Sequence, residues 1–123
     1  MWLKKRDKGT GSMLGNFVHH RERYAWTSHA HMKMRHYRLT ESRVKRIIRH
    51  PVRTEEGVLP NGIACMHVAE GRHYSEIWAM YVLEGGKDKE KRIKIITAWR
   101  YPGKSPSRDP IPADILREIR SLL

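Results

Sequence analysis

Residues 27–39, with the sequence TSHAHMKMRHYRL, concentrate three histidines and three fixed positive charges within thirteen positions. If this stretch is helical, His29, Lys33 and His36 recur at i, i+4 and i+7 and share one side. A neighbouring side carries a second set of basic side chains, namely His31, Arg35 and Arg38. Side chains of these types could bind a phosphate and move a proton beside it.

Such a set has the groups needed to cleave RNA without a metal. A histidine near an ammonium group has its pKa lowered, which keeps a neutral base available near pH 7. That base takes the proton of the 2′-OH, cations stabilise the phosphorane, and an acid protonates the leaving 5′-oxygen. The alternative is a solvated basic helix whose histidines have no chemical role, and the spacing alone leaves both interpretations open.

The same histidines do not predict a metal site. His29 and His31 lie on different sides of a helix, and His29 and His36 are about 10 Å apart along its axis. The sequence has no His-x-x-x-His or Cys-x-x-Cys pair, so we expect no metal and no cofactor. The lone Cys65 has no assigned base beside it and cannot form an internal disulfide, which favours a reducing cytoplasm.

The overall charge indicates a polyanionic partner. The net charge is +12, and basic residues outnumber acidic ones by 14 to 5 in residues 1–60 but only by 11 to 8 in the remainder. A basic half of this kind favours nucleic acid, with an acidic protein or an anionic membrane as weaker alternatives. Because no apolar run approaches the roughly 20 residues that span a bilayer, we expect no membrane insertion.

The chain is predicted to form one α+β domain at residues 21–123. Residues 1–20 are interpreted as a flexible basic lead, of which residues 1–12, before a second methionine at Met13, are either an expression remnant or a flexible arm. The 39% of hydrophobic residues and four tryptophans are enough for a core. Their pattern predicts two N-terminal helices packed on an antiparallel meander sheet of three to four strands, with a C-terminal helix.

The helices are predicted from caps and apolar spacing. After a short strand at 21–26, Ser28 is expected to cap a helix that ends near Tyr37. Its buried stripe would be Ala30, Met34 and Tyr37. Thr40 would cap a second helix to about His50, ended by Pro51, with Val44, Ile47 and Ile48 in the core. The remaining surface of this helix is basic through Arg43, Lys45, Arg46 and Arg49, which would follow a nucleic-acid backbone or merely face water.

Strands are predicted at 52–56, 63–70, 73–84 and 92–101. Residues 73–84 are apolar on both faces and should form a central strand. A Pro- and Ser-containing linker then leads to an amphipathic helix at 113–122, which would either close the core or contact an acidic partner.

Residues 28–51 (SHAHMKMRHYRLTESRVKRIIRHP) and 92–101 (RIKIITAWRY) resemble the domain-of-unknown-function family 4258. That family is similar to the BrnT and RelE-like toxins, so the resemblance implies a small RelE- or barnase-like α+β fold. It also implies a metal-independent endoribonuclease with an antitoxin as a protein partner. The matching positions are Ser28, His29, Ala30, Met34, Leu39, Pro51 and Thr97. The differences are a lysine at 33 and a tyrosine at 37, where arginines are usual, and Arg38 in place of a glycine.

These observations define a predicted site. His29 would act as general base or acid, and the phosphate would be held by Lys33, Arg35 and Arg100. Thr97 and Tyr101 would orient the substrate. The residues predicted to bind the nucleic-acid backbone are Arg35, Arg38, Arg43, Lys45, Arg46 and Arg49.

Three further residues have two interpretations each. His67 would be either a general acid opposite His29 or an ordinary hydrogen-bonded histidine. Tyr81 and Trp99 are expected in the core rather than in the site. The preferred hypothesis is thus a toxin-like endoribonuclease, with a non-catalytic RNA- or DNA-binding module on the same fold as the alternative and an antitoxin-like interaction protein as a third.

Overall fold

The structure, a computed structural model, describes residues 23–85 and 91–121. Within these ranges it has five strands and three helices. In chain order they are β1 (Arg23–Trp26), α1 (Ser28–Tyr37), α2 (Glu41–Arg49), β2 (Arg53–Glu56), β3 (Gly62–Val68), β4 (Ser75–Glu84), β5 (Arg92–Pro102) and α3 (Ala113–Ser121). The α+β class is confirmed. The predicted lead at residues 1–20 lies outside the described residues.

The described strands form one mixed sheet in the order β1-β5-β4-β3-β2. Strands β2 to β5 make the predicted antiparallel meander, and β4 lies at its centre as expected. The prediction of three to four antiparallel strands was wrong because β1 adds a fifth strand, parallel to β5. The four residues of β1 contain no local signal for this parallel pairing, because their partner strand lies about seventy positions further along the chain.

The helices pack on both sides of this sheet. Buried residues of α1 and α2 share one apolar cluster with Cys65, Ile77 and Ala79 of the sheet. On the opposite face, Ile115 and Ile119 of α3 pack with a second cluster, which contains Ala64, Met66, Trp78, Met80 and Trp99. Helix α3 therefore closes the core on its own face of the sheet. No helix in the described ranges is long and apolar enough to span a membrane.

Helix α1 lies along β5 where β1 has ended. Thr27, rather than the predicted Ser28, is the N-cap: its hydroxyl accepts from the Ala30 amide at 2.9 Å and donates to the Ile96 carbonyl at 3.0 Å. At the other end, Arg100 Nε donates to the Tyr37 carbonyl at 3.0 Å. Both ends of α1 are thus tied to β5, and the helix covers a strand edge that would otherwise be exposed.

A bulge in β5 decides which side chains face which helix. Ile95 pairs with Tyr81 and Thr97 pairs with Met80, so Ile96 is an extra residue in the ladder. Because side chains alternate along a strand, this insertion moves every later residue to the other face. Thr97 therefore faces α3, whereas an unbroken alternation would have placed it with Ile95 on the α2 side.

The structure of residues 38–50 is close to what the sequence predicted. Arg38 ends α1 in the left-handed conformation, with φ at 59°. The Thr40 hydroxyl accepts from the Arg43 amide at 3.1 Å and caps α2, as predicted. The core residues of α2 are the three that the apolar spacing identified, Val44, Ile47 and Ile48.

Candidate nucleic-acid interface

The predicted catalytic pair on α1 faces α3 rather than solvent. His29 and Lys33 lie on the same side of the helix, and only 8% of Lys33 is exposed. Lys33 Nζ lies 3.0 Å from Glu118 Oε1 of α3, and His29 Nε2 lies 3.8 Å from the same oxygen. One carboxylate of the protein thus already occupies the position near these groups that a phosphate would need.

The surroundings of His29 lower the pKa of its imidazole. Burial lowers the pKa of His29 most strongly, the Glu118 carboxylate opposes this, and the Lys33 ammonium lowers it further. Within the described part of the chain, neither His29 Nε2 nor Thr97 Oγ1 has a hydrogen-bond partner. The two predicted catalytic groups therefore do not contact each other through a hydrogen bond.

The predicted residues of β5 are divided between the two faces of the sheet. Thr97 and Tyr101 pair with Met80 and Glu76 and face α3. Arg100 pairs with Ile77 and faces the α2 side. The structure consequently does not assemble the five predicted catalytic residues in one place, because Arg100 lies three residues after Thr97 on the strand and therefore faces the opposite side.

On the α2 side, four arginines surround a cleft of about 380 Å³. We call this the arginine cleft, and its arginines are Arg38, Arg43, Arg46 and Arg100. The rest of its lining consists of Leu39, Thr40, Ser42, Glu70 and Ile77. Three elements therefore contribute cations: the C-terminal end of α1, the first two turns of α2, and β5.

Local structure explains why these side chains converge. The left-handed Arg38 makes the sharp turn between α1 and α2. Arg43 and Arg46 follow at i and i+3 and so lie on one flank of α2. Arg100 is oriented by its bond from Nε to the Tyr37 carbonyl, which leaves the terminal nitrogens of the guanidinium for other acceptors.

The cleft is strongly electropositive. Among the described residues, none of its four arginines has a carboxylate within 4.0 Å. In the described part of the chain, Glu70 is the one acidic residue of the lining. The first turn of α2 also opens here, and the amides of a first helical turn have no acceptors within the helix. Arginines and a helix N-terminus together favour a bound anion such as phosphate.

The other residues predicted to bind the backbone lie outside the cleft. Arg35 is exposed on α1. Lys45 and Arg49 lie on the opposite flank of α2 and contact the Tyr24 ring, at 5.0 Å from Nζ and 5.7 Å from Cζ to the ring centroid. The basic surface of α2 is thus divided into two parts, one in the arginine cleft and one beside β1.

The remaining candidates have structural roles. His67 Nε2 lies 2.7 Å from the His50 carbonyl, which fits an ordinary hydrogen-bonded histidine. Tyr81 and Trp99 are buried in the core, as expected. Burial raises the pKa of Cys65 to about 11, so its thiol is protonated at neutral pH and is a poor nucleophile.

The sequence did not indicate three residues that shape the cleft or the surroundings of Lys33. Glu70 and Ser42 line the cleft, and Glu118 pairs with Lys33. The cap motif at Thr40 marked the start of α2, which was the available signal for Ser42. No local pattern marks Glu70 or Glu118, because each meets its neighbours through the tertiary fold.

In comparisons with known proteins, no family model, no curated protein and no solved structure matches the chain. The resemblance of residues 28–51 and 92–101 to a toxin-like family therefore stays a prediction.

Proposed function

We propose that the protein is a nucleic-acid-binding module that holds the phosphate backbone in the arginine cleft. The observation that supports this is the convergence of four arginines, none paired with a carboxylate of the described chain, on one cavity. Cations kept close together without counter-charges repel one another, and a polyanion relieves that repulsion when it binds. The net charge of +12 acts in the same direction.

The chemistry of the cleft suits phosphate oxygens. A guanidinium presents parallel N–H donors that match two oxygens of one phosphate. Arg43 and Arg46 project from a helix, and Arg100 is held by the Tyr37 carbonyl. Because these groups are already positioned, binding costs less conformational entropy. Release of condensed counterions from the nucleic acid adds a favourable contribution that weakens as salt rises.

Binding without cleavage is the function that this arrangement supports best. Among the described residues, no histidine lines the cleft. The histidine predicted as a catalyst, His29, lies against Glu118 of α3, and its side chain is only 9% exposed. The cations for phosphate and the imidazole for proton transfer are therefore in different places, whereas a metal-free ribonuclease needs them together.

The test is fluorescence anisotropy with a labelled RNA of about 12 nucleotides. The Arg43→Ala/Arg46→Ala variant should bind roughly 10- to 100-fold more weakly, because two charge-assisted contacts are lost. The slope of log affinity against log salt should fall by about one to two. Arg117→Ala, which removes an exposed arginine from α3, is the matched control and should bind within about twofold of wild type.

Two results would contradict the proposal. One is no binding of RNA or DNA by the wild-type protein at about 50 mM salt, where phosphate contacts are strongest. The other is an equal loss of affinity in the cleft variant and in Arg117→Ala. Thermal melts of all proteins establish that the variants are folded.

The endoribonuclease hypothesis remains a second proposal, supported by the lowered pKa of His29 beside Lys33. In such an enzyme Glu118 would have to leave Lys33 before a phosphate could enter. Incubation of RNA with wild-type protein and with His29→Ala in EDTA decides the matter. Cleavage that depends on His29 supports an enzyme, and equal cleavage or none in both counts against it.

A further inference from the structure

The arginine cleft reaches from the surface to the apolar core. Leu39 and Ile77 belong to its lining and to the core cluster on the α2 side, and they are only 7% and 3% exposed. The four arginines of the lining are exposed or half-buried, so they lie nearer to solvent. The cleft is therefore a recess of about 380 Å³ with an apolar inner wall and an outer part that carries the charges.

The cations of the cleft come from three separate elements. Arg38 belongs to the turn after α1, Arg43 and Arg46 to α2, and Arg100 to β5. A groove that follows a nucleic-acid strand distributes its positive charges along the path of the backbone. Four arginines around one recess instead favour a ligand group that concentrates more than one charge and several oxygens at a single point.

The terminal phosphate is the group of a nucleic acid that has these properties. An internal phosphodiester has one negative charge and two non-bridging oxygens, which one arginine fork can hold. A phosphate monoester carries about −1.5 to −2 at pH 7 and has three acceptor oxygens. Because these oxygens point in different directions, donors from several elements can bind them together. Thr40 and Ser42 also line the cleft, and their hydroxyl groups are further possible donors.

The charge of the lining agrees with this group. Among the described residues, four arginines and Glu70 give the lining a formal charge of +3. One internal phosphodiester would neutralise only a third of that charge. A terminal phosphate and the phosphodiester next to it together carry about −2.5 to −3, which is close to the opposite of the charge of the lining.

We infer that the phosphate which enters the arginine cleft is a terminal phosphate monoester, so that the protein binds the phosphorylated end of a nucleic-acid strand. This inference rests on the proposed function and names the part of the nucleic acid that the cleft recognises. Internal phosphates bind the same arginines more weakly, because each brings one charge and two oxygens. The 5′ and 3′ ends offer the same chemistry, and the experiment distinguishes them.

The experiment measures fluorescence anisotropy of internally labelled RNAs of one sequence, each of about 12 nucleotides. One RNA has a 5′-phosphate, one has a 3′-phosphate and one has neither. Wild type should bind at least one phosphorylated RNA at least about tenfold more tightly than the RNA without a terminal phosphate. The RNA with the higher affinity identifies the end that is bound.

Two control ligands separate recognition of the end from a simple gain of charge. An RNA without a terminal phosphate but one nucleotide longer has one additional internal charge, and its affinity should rise by less than about twofold. The methyl ester of the preferred terminal phosphate keeps the phosphorus but loses one charge and one free oxygen. It should bind within about twofold of the RNA without a terminal phosphate.

Variants of the cleft test the residues. Arg43→Lys/Arg46→Lys keeps the charge but removes the forked donors, so the preference for the phosphorylated end should fall below about threefold with little change in the salt slope. Arg43→Ala/Arg46→Ala should weaken binding of every RNA and also lose the preference. Arg117→Ala, on α3, should keep the tenfold preference. Thermal melts establish that each variant is folded.

The outcomes distinguish failure of this inference from failure of the proposed function. If wild type binds all three RNAs equally and the alanine variant weakens all of them, the inference is wrong and the proposed function stands. A methyl ester that binds as tightly as the free terminal phosphate also overturns the inference. If wild type binds none of the RNAs, the proposed function fails, and the inference fails with it.

Discussion

The two faces of the sheet differ in how their charged side chains are paired. On the α3 face, Lys33 pairs with Glu118, and Arg53 NH1 lies 3.7 Å from Glu76. On the α2 face, the four arginines of the cleft have no carboxylate within 4.0 Å among the described residues. In the described part of the chain, the buried cations of the α3 face are thus paired, whereas the arginines of the cleft are not.

Burial explains this difference. A charge removed from water is costly unless a counter-charge and hydrogen bonds replace its hydration. Lys33 and Glu76 are buried: Lys33 has the Glu118 carboxylate as counter-charge, and Glu76 has Arg53 and several hydrogen-bond donors. The arginines of the cleft remain in contact with water, so they need no internal carboxylate. The buried charges of the α3 face therefore depend on internal partners, whereas the arginines of the cleft do not.

Glu76 is the clearest case of an internally satisfied charge. It is fully buried, and it accepts hydrogen bonds from the Tyr74 hydroxyl, the Trp78 indole and the Ser105 hydroxyl at 2.8, 3.0 and 2.5 Å. Burial alone would raise the pKa of Glu76, but its hydrogen-bond donors together hold it below the usual value. Through Ser105, this carboxylate also secures the segment after β5 against the sheet.

The largest effect on stability should come from Glu76→Ala, which leaves Arg53, the Tyr74 hydroxyl and the buried donors of Trp78 and Ser105 without their acceptor. We expect the free energy of unfolding in urea to fall by about 3–5 kcal/mol. Glu56→Ala, an exposed glutamate on β2, should change it by less than about 0.5 kcal/mol. If both variants behaved alike, the α3 face would not depend on internal pairing.

A smaller effect is expected at the Lys33–Glu118 pair, because the glutamate is 38% exposed and solvent weakens the interaction. Glu118→Gln should destabilise the protein by about 1–2 kcal/mol, since a buried ammonium loses its carboxylate. The double variant Lys33→Met/Glu118→Leu should recover most of this loss. Denaturant melts of Lys33→Met, Glu118→Leu and the double variant measure the coupling.

RNA binding by Glu118→Gln tests whether the α3 face also binds phosphate. If Glu118→Gln bound RNA more tightly than wild type by more than the gain expected from one added positive charge, Lys33 would be a ligand for phosphate. If Glu118→Gln binds RNA with an affinity close to that of the exposed control Glu56→Ala, the proposed binding site on the α2 face is supported.

The smallest effect should be a pH dependence due to His29. The unfolded chain takes up a proton on this histidine near pH 6.5, whereas burial delays the uptake in the folded protein to lower pH. The unfolded state thus binds more protons in this window, so the free energy of unfolding decreases as pH falls through about 6.5 and levels off below the lowered pKa. Urea melts from pH 7.5 to 5 should show this decrease in wild type and a smaller one in His29→Gln.

The α2 segment shows what could be predicted well. Thr40 as a cap, Val44, Ile47 and Ile48 at helical spacing, and Pro51 as a stop all act within a few residues of one another. Their local preferences agree with their tertiary surroundings, so the boundaries and the buried side of the helix were correct. The cap of α1 was misplaced by one residue because Thr27 is selected by its bond to Ile96, sixty-nine positions away.

The candidate site was predicted only in part, for the same reason. The basic side chains of α2 were identified from composition and helical spacing, but their division between the arginine cleft and the surface beside Tyr24 was not. The predicted catalytic set took both Thr97 and Arg100 from one strand, although residues three apart on a strand face opposite sides. The extra residue at Ile96 decided which of the two faces α3 and which faces α2.

By itself the sequence determined the class of fold, the central strand, the helix at 41–49 and an excess of positive charge, since these depend on composition and on periodicity within single elements. The tertiary structure alone decided which of those charges meet a carboxylate and which remain exposed. That outcome depends on pairings between distant segments, such as Lys33 with Glu118 and β1 with β5, and a one-residue change of register reverses it.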